Sequence, residues 1–161
     1  LNAAYYIAEM LREMTDEHDP HPELFQLAHE TLIALDGVDT TKNQEVARYV
    51  MRFELVALRL LGHLPALNHC AGCGREIRPA RRVAFGFVTG GTLCQRCRQG
   101  KRQVASVSAA AIEAMTILAD EGELAENYVL PRAIAGELRG LINRYMCNLL
   151  GREPRTQKLL T

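Results

Sequence analysis

Cys70, Cys73, Cys94 and Cys97 form two Cys-x2-Cys pairs with twenty residues between them. Two residues between thiolates let one tight backbone turn present both sulfurs to a single ion at about 2.3 Å, and two such turns close a tetrahedral shell. The pattern predicts one Zn2+ in a structural role. Gly74, directly after the first pair, can take the positive φ that turns backbone amides toward the sulfurs. The second pair, Cys94-Gln95-Arg96-Cys97-Arg98, lacks that glycine and is expected to open a short helical turn. Four thiolates leave no position for water or substrate, so the metal is expected to organise the chain and not to catalyse.

Other uses of these cysteines fit less well. Two disulfides need an oxidising compartment, whereas the chain shows no secretory segment and keeps an odd fifth cysteine, Cys147. A redox dithiol is one Cys-x-x-Cys on a βαβ pattern; here there are two pairs and no such pattern. His69 is expected to be a loop histidine outside the shell, and Cys147, in an apolar helical run, reads as a small buried hydrophobe. His18 and His21 lie in a Pro-rich turn and read as solvated. Glu9 with Glu13, and Glu121 with Glu123, are spaced like carboxylate pairs but fall on expected solvated faces. With no Gly-rich phosphate loop and no Ser/His/Asp arrangement, the chain is not expected to be an enzyme.

The formal net charge of zero conceals a segregation. Residues 1–63 carry eleven acids against five bases, residues 64–102 one acid against eight bases, and residues 103–161 seven acids against six bases. The basic stretch, net +7, is the cysteine-bearing one: Arg75, Arg78, Arg81, Arg82, Arg96, Arg98, Lys101 and Arg102, with Glu76 the lone acid. A Zn2+ with four thiolates carries −2, so some of these bases can compensate the shell. An excess remains, and all but one of the eight are arginine, whose planar fork grips phosphate oxygens well. A polyanion, with nucleic acid as the leading candidate, is the expected partner.

The elements that must position this module are mostly helical. At 161 residues and 48% hydrophobic content the chain can bury a core, and no apolar run reaches the roughly twenty residues a membrane helix needs. A cytoplasmic protein with no membrane contact is expected. Apolar residues at 3-and-4 spacing predict a helix from the first residues to Met14, closed by the turn from Asp16 to Pro22. A second helix follows from Pro22 to Gly37. A long central one runs from about Asn43 to Leu61, with Arg48, Arg52 and Arg59 as its wet stripe. Val83–Val88, Thr89-Gly90-Gly91 and Thr92-Leu93-Cys94 predict a β-hairpin whose Phe85 and Phe87 share one side and pack against helices. Ser106-Val107-Ser108 offers an N-cap for a helix through Asp120. A last helix runs from Pro131 to Leu150, with Arg132 and Arg139 opposite its buried stripe, before a basic tail with Arg152, Arg155 and Lys158. The fold class is mainly α, a helical domain in two parts (1–67 and 103–161) with an inserted zinc module at 68–102. A chain opening in mid-helix on Leu1 is expected to be part of a longer protein.

The order of parts carries a resemblance. Arg52-Phe53-Glu54-Leu55 leads into Leu60-Leu61-Gly62, then Cys70-Ala71-Gly72-Cys73-Gly74, a hairpin with Gly90-Gly91 before Cys94-Gln95-Arg96-Cys97, a Ser-capped helix and Leu150-Gly151-Arg152. Over essentially its whole length the chain resembles the C-terminal region of the bacterial RecO recombination and repair family. The resemblance implies a helical domain with a zinc finger, normally preceded by an OB-fold that this chain lacks. It implies binding of single- and double-stranded DNA, strand annealing, and action with RecR and RecF in loading RecA on gapped DNA at the nucleoid. It also implies an apolar pocket with basic neighbours that holds the acidic C-terminal tail of single-strand-binding protein. An interaction platform for that tail, with little DNA affinity of its own, is the alternative reading. In outline the zinc module also resembles that of Arf GTPase-activating proteins, which would need a catalytic arginine.

Overall fold

The computed structural model describes residues 1–39, 42–78 and 81–160; Thr161, the last residue of the expected tail, lies outside them. Helix α1 (Asn2–Met14) buries Ala3, Tyr6, Ile7 and Met10, the stripe that 3-and-4 spacing predicts. It ends before the turn carrying Pro20 and Pro22, and α2 (Pro22–Asp36) starts with proline in its first turn. Helix α3 (Asn43–Leu60) is the central element: from Val50 to Leu58 every residue except Arg52 is buried. Gly62, at φ 76°, lets the chain leave it. Among the described residues no helix is long and apolar enough to cross a membrane.

The expected hairpin forms, β1 (Arg82–Gly86) pairing antiparallel with β2 (Gly91–Leu93). Phe87 and Val88 fall outside the strand, in the turn, and Val88 is 66% exposed. A third strand, β3 (Val104–Ser108), goes beyond the expected hairpin; it pairs antiparallel with β1, giving the order β2-β1-β3. The sheet thus continues beyond residue 102. Strand β1 buries both its faces. Val83, Phe85 and Phe87 enter the main core with the helices, where Phe85 meets Tyr145 edge-on at 6.0 Å. Ala84, on the other face, packs with Leu93 and Cys70 in a small second cluster. Gly91 lies against the 66–67 segment, where a Cβ would meet the Ala66 oxygen at 2.4 Å, so only glycine fits.

Ser108 closes β3 and caps α4 (Ala109–Ala119), accepting from the Ala111 N–H at 3.2 Å. The short α5 (Glu123–Glu126) follows, then α6 (Arg132–Leu150), which Gly151 ends at φ 71°. The tail forms a 3-10 turn, Arg155–Leu160, docked on α1.

Several charges expected in water are instead structural. Arg48, Arg52 and Arg59 are half-buried. Arg52 Nη1 donates to the Leu118 and Asp120 carbonyls at 3.2 and 2.8 Å, occupying the C-terminus of α4. Arg48 reaches the Glu126 carbonyl, and Arg59 pairs with Glu121. Arg139 turns inward, its Nη2 2.7 Å from Oε1 of the fully buried Glu54, which also accepts from Tyr6. Burial and the neighbouring carboxylate both push the Tyr6 phenol up, so it stays a donor. Burial opposes the charge on Arg139, but Glu54 outweighs it. Glu9 accepts from the backbone N–H groups of Arg155 and Thr156, both at 2.8 Å, and Glu13 pairs with Arg152, so this carboxylate pair straps the tail to α1. Cys147 is half-buried, not buried.

Glu137 on α6 joins three elements: its carboxylate accepts from the Ser108 N–H and Arg82 Nη2, both at 3.0 Å, and from the Ser108 hydroxyl. Burial alone would raise its pKa, but these donors lower it below the ordinary 4.5. A carboxylate depressed in the folded state contributes stability above its unfolded value and loses it as pH falls through the folded one. Glu137→Gln should therefore cost about 1 kcal/mol near neutral pH. Urea titrations of the two chains should converge as the pH drops well below 4.5; a constant difference at every pH would contradict this account.

Candidate metal centre and basic surface

Cys70 and Cys73 sit on the turn after the 62–69 segment, and Cys94 and Cys97 follow β2 directly. In the first turn the Gly74 N–H donates to the Cys70 carbonyl at 2.8 Å, and Gly74 takes φ 71°, as its place in sequence predicts. In the second, Arg98 N–H donates to the Cys94 carbonyl at 3.0 Å, closing a turn of the same size as the first, without a helix. Gly72 allows the two turns to meet: a Cβ there would lie 3.0 Å from Cys97 Cβ. Thr92, fully buried, fixes the end of β2 by placing its hydroxyl 3.0 Å from the His69 carbonyl.

These turns bring all four Sγ atoms within 4.8 Å of one another. Cys73 Sγ and Cys94 Sγ are 3.9 Å apart, far beyond a disulfide bond and close to the edge of about 3.8 Å that a tetrahedron with 2.3 Å metal–sulfur bonds requires. Burial pushes the Cys70 thiol up, but N–H groups of Cys94, Gly72 and Cys73 outweigh it and hold it at about 6; the Cys94 N–H lies 3.3 Å from Cys70 Sγ. Cys97, surrounded by the other three sulfurs, is pushed up to about 12. Four sulfurs this close cannot all be anionic without a cation, and the donor set fits a soft tetrahedral metal ion. His69 is exposed and stands outside the cluster.

The bases expected to form one surface divide into two groups. Arg75, Arg81, Arg96, Arg98, Lys101 and Arg102 are exposed, and among the described residues no carboxylate pairs with them. Arg78 pairs with Glu76 at 2.7 Å, both largely exposed. Arg82 is held by Glu137 and by the Ser106 hydroxyl at 2.9 Å. Of the tail bases, Arg152 is engaged by Glu13, whereas Arg155 uses its backbone N–H and leaves its side chain exposed. Lys158 is exposed on the 3-10 turn. Phe85 and Phe87 are 0% and 4% exposed, so neither can stack on a base.

A second feature lies away from the cysteines. A groove of about 1020 Å3 opens between the starts of α1, α3 and α6 and the end of α2. Its walls include Leu35, Val46, Val50 and Met51, and its basic groups are Arg132 and the Glu54-bound Arg139. Arg139 Nε and Nη1 are buried without a hydrogen-bond partner. Apolar periodicity signalled the walls; nothing in the sequence signalled that Arg139 faces them.

A family profile described as "Recombination protein O C terminal" matches residues 1–158. The chain is 36% identical over 184 residues to the DNA repair protein RecO of Rhodopirellula baltica, covering 99% of the chain and 66% of that protein. It is 34% identical to the DNA repair protein RecO of an Anaeromyxobacter species (98% and 60%) and 33% identical to that of Myxococcus xanthus (92% and 57%). The chain thus spans roughly three-fifths to two-thirds of the length of these relatives.

Removing one sulfur should open the shell. For Cys73→Ser, elemental analysis of the purified chain should fall from one metal ion per chain to far less. Near-ultraviolet signals and hydrogen-exchange protection of β1 and β2 should drop while most helical ellipticity remains. Equal metal content in both chains would show that the cysteines do not share an ion.

Proposed function

The chain belongs to the RecO family, and on that basis we propose that it is the DNA-contacting part of a non-enzymatic repair mediator, with a structural Zn2+ in its four-cysteine shell. The observation that carries this reading is the set of exposed bases Arg75, Arg81, Arg96, Arg98, Lys101 and Arg102, with which no carboxylate pairs among the described residues, on the module that bears the four-cysteine cluster. Annealing two strands involves no covalent step; it needs cations beside like-charged backbones and a rigid support for them. Arg78 joins readily, because an exposed ion pair is worth at most about 1 kcal/mol. The exposed Arg155 and Lys158 of the tail would add to the basic groups, while Arg82 and Arg152 are engaged by Glu137 and Glu13. A closed four-thiolate tetrahedron is a common form of structural zinc site, which supports this choice of metal. Annealing, RecA loading, contact with RecR and work at the nucleoid belong to the whole protein and form part of the same proposal. The test is affinity for single-stranded DNA as a function of salt. With about six phosphates neutralised, log K against log salt should have a slope of about −4. A flat dependence would reduce the basic stretch to compensation of the thiolates.

The groove favours a second, compatible role: capture of the acidic tail of single-strand-binding protein. Apolar walls suit the tail's apolar side chains, and the exposed Arg132 suits its carboxylates, while Arg139 stays held by Glu54 and Asp36 is the acid of the same lining. In a peptide titration Arg132→Ala should weaken an acidic, apolar-ended peptide about tenfold, and Arg96→Ala with Arg98→Ala should leave it unchanged. The reverse pattern would move the peptide to the metal module.

A further inference from the structure

Helix α6 carries an arginine whose position the basic stretch does not foretell. The Arg144 guanidinium carbon lies 4.2 Å from the centroid of the Phe87 ring. Arg144 is exposed, and Phe87 beneath it is 4% exposed. A buried ring fixed in the core offers the cation its negative face and holds the guanidinium against it. Among the described residues no carboxylate pairs with Arg144, in contrast to Arg139 on the same helix.

The ring also connects to the basic turn. The Phe87 N–H donates to the Gln103 carbonyl at 3.0 Å, so the end of the hairpin is tied to the chain directly after Lys101 and Arg102. Gln103 holds φ 54°, a left-handed conformation that residues with side chains adopt only when their surroundings impose it. The direction in which the 101–102 segment leaves β3 is therefore set. Phe87, beneath Arg144, and Gln103, directly after Lys101 and Arg102, thus meet at one end of the sheet.

We propose that a single DNA strand is gripped at this end of the sheet, an unpaired base stacking on the outer face of the Arg144 guanidinium while Lys101 and Arg102 take the adjoining phosphates. The inference rests on the proposed DNA-binding function and deepens it by naming one stacking residue and its place at the end of the sheet. Phe87 is covered and cannot meet a base itself. It acts through Arg144, whose guanidinium carbon it holds 4.2 Å from its ring centroid; the planar guanidinium offers a base a face to stack on, which an ammonium group in its place could not. Stacking tolerates any base, because every base has a π-face.

Fluorescence anisotropy with a thymidine oligonucleotide and an abasic strand of equal length tests it, using the chain, Arg144→Lys and Arg144→Ala. The lysine variant keeps the charge, so it should lose about fivefold or more on the thymidine strand and nothing on the abasic strand. The alanine variant should lose at least as much on the thymidine strand and a smaller factor on the abasic one. Equal losses on the two strands, or full activity with lysine, would make Arg144 a point charge and overturn the stacking. Should the unaltered chain bind with salt-dependent affinity while both variants match it, this inference alone fails. If the unaltered chain shows no such binding, the DNA reading fails first and this inference with it.

Discussion

Strand β1 is buried on both faces, and that single constraint relates every other part of the molecule. Val83, Phe85 and Phe87 belong to the helical core, whereas Ala84 between them belongs to the cluster under Cys70 and Leu93. Among the described residues the second cluster has three buried members, with a few partly buried neighbours, too few to hold a fold by apolar burial alone. The cysteine turns therefore need another source of order, and four sulfurs within 4.8 Å supply it once a metal balances their charge. Through Ala84 and its neighbours in β1, that order is transmitted to a sheet whose other side is already immobile. The result is a basic module joined to the helices through β1 and through the Arg82–Glu137 pair.

Charge is used at two levels of commitment. Arg52, Arg59, Arg82, Arg139 and Arg152 each meet a carbonyl or carboxylate of the fold, and moving any of them would leave an uncapped helix end or an unpaired acid. The arginines nearest the sulfurs have no such task. Removing phosphate from water to meet them therefore breaks nothing inside the protein. That is the property a reversible nucleic-acid surface requires, and it separates these residues from the braces more sharply than sequence position does.

Sequence is informative where the deciding partner is near in the chain. The cysteine pairs, the positive φ of Gly74, the Pro and Gly boundaries of the helices and the Gly90-Gly91 hairpin turn are all settled within a few residues. Strand β3 escapes a sequence reading because Val-Ala-Ser-Val-Ser is short and its last serine also makes a sound N-cap; Ser108 serves both purposes. Periodicity assigns charged residues to the wet face, and it fails when the compensating group is distant. Arg139 lies 85 residues from Glu54, Arg52 lies 66 from Leu118, and Glu9 lies 147 from Thr156. No local pattern distinguishes such a residue from a solvated one.

Helix α6 owes its fixed orientation to contacts of this long-range kind. Arg139 lines the groove and Arg144 covers Phe87, five residues further on. Five residues along an α-helix advance about 7.5 Å and turn about 140° around the axis, so the two guanidinium groups leave opposite sides of one rod. Glu54, itself bonded by Tyr6, holds the first, and the Phe87 ring meets the second, so α6 is contacted on both of these sides. A peptide in the groove and a strand at the sheet end would thus occupy separate faces of the same rigid element. They need not compete for space, and each could be held while the other is exchanged.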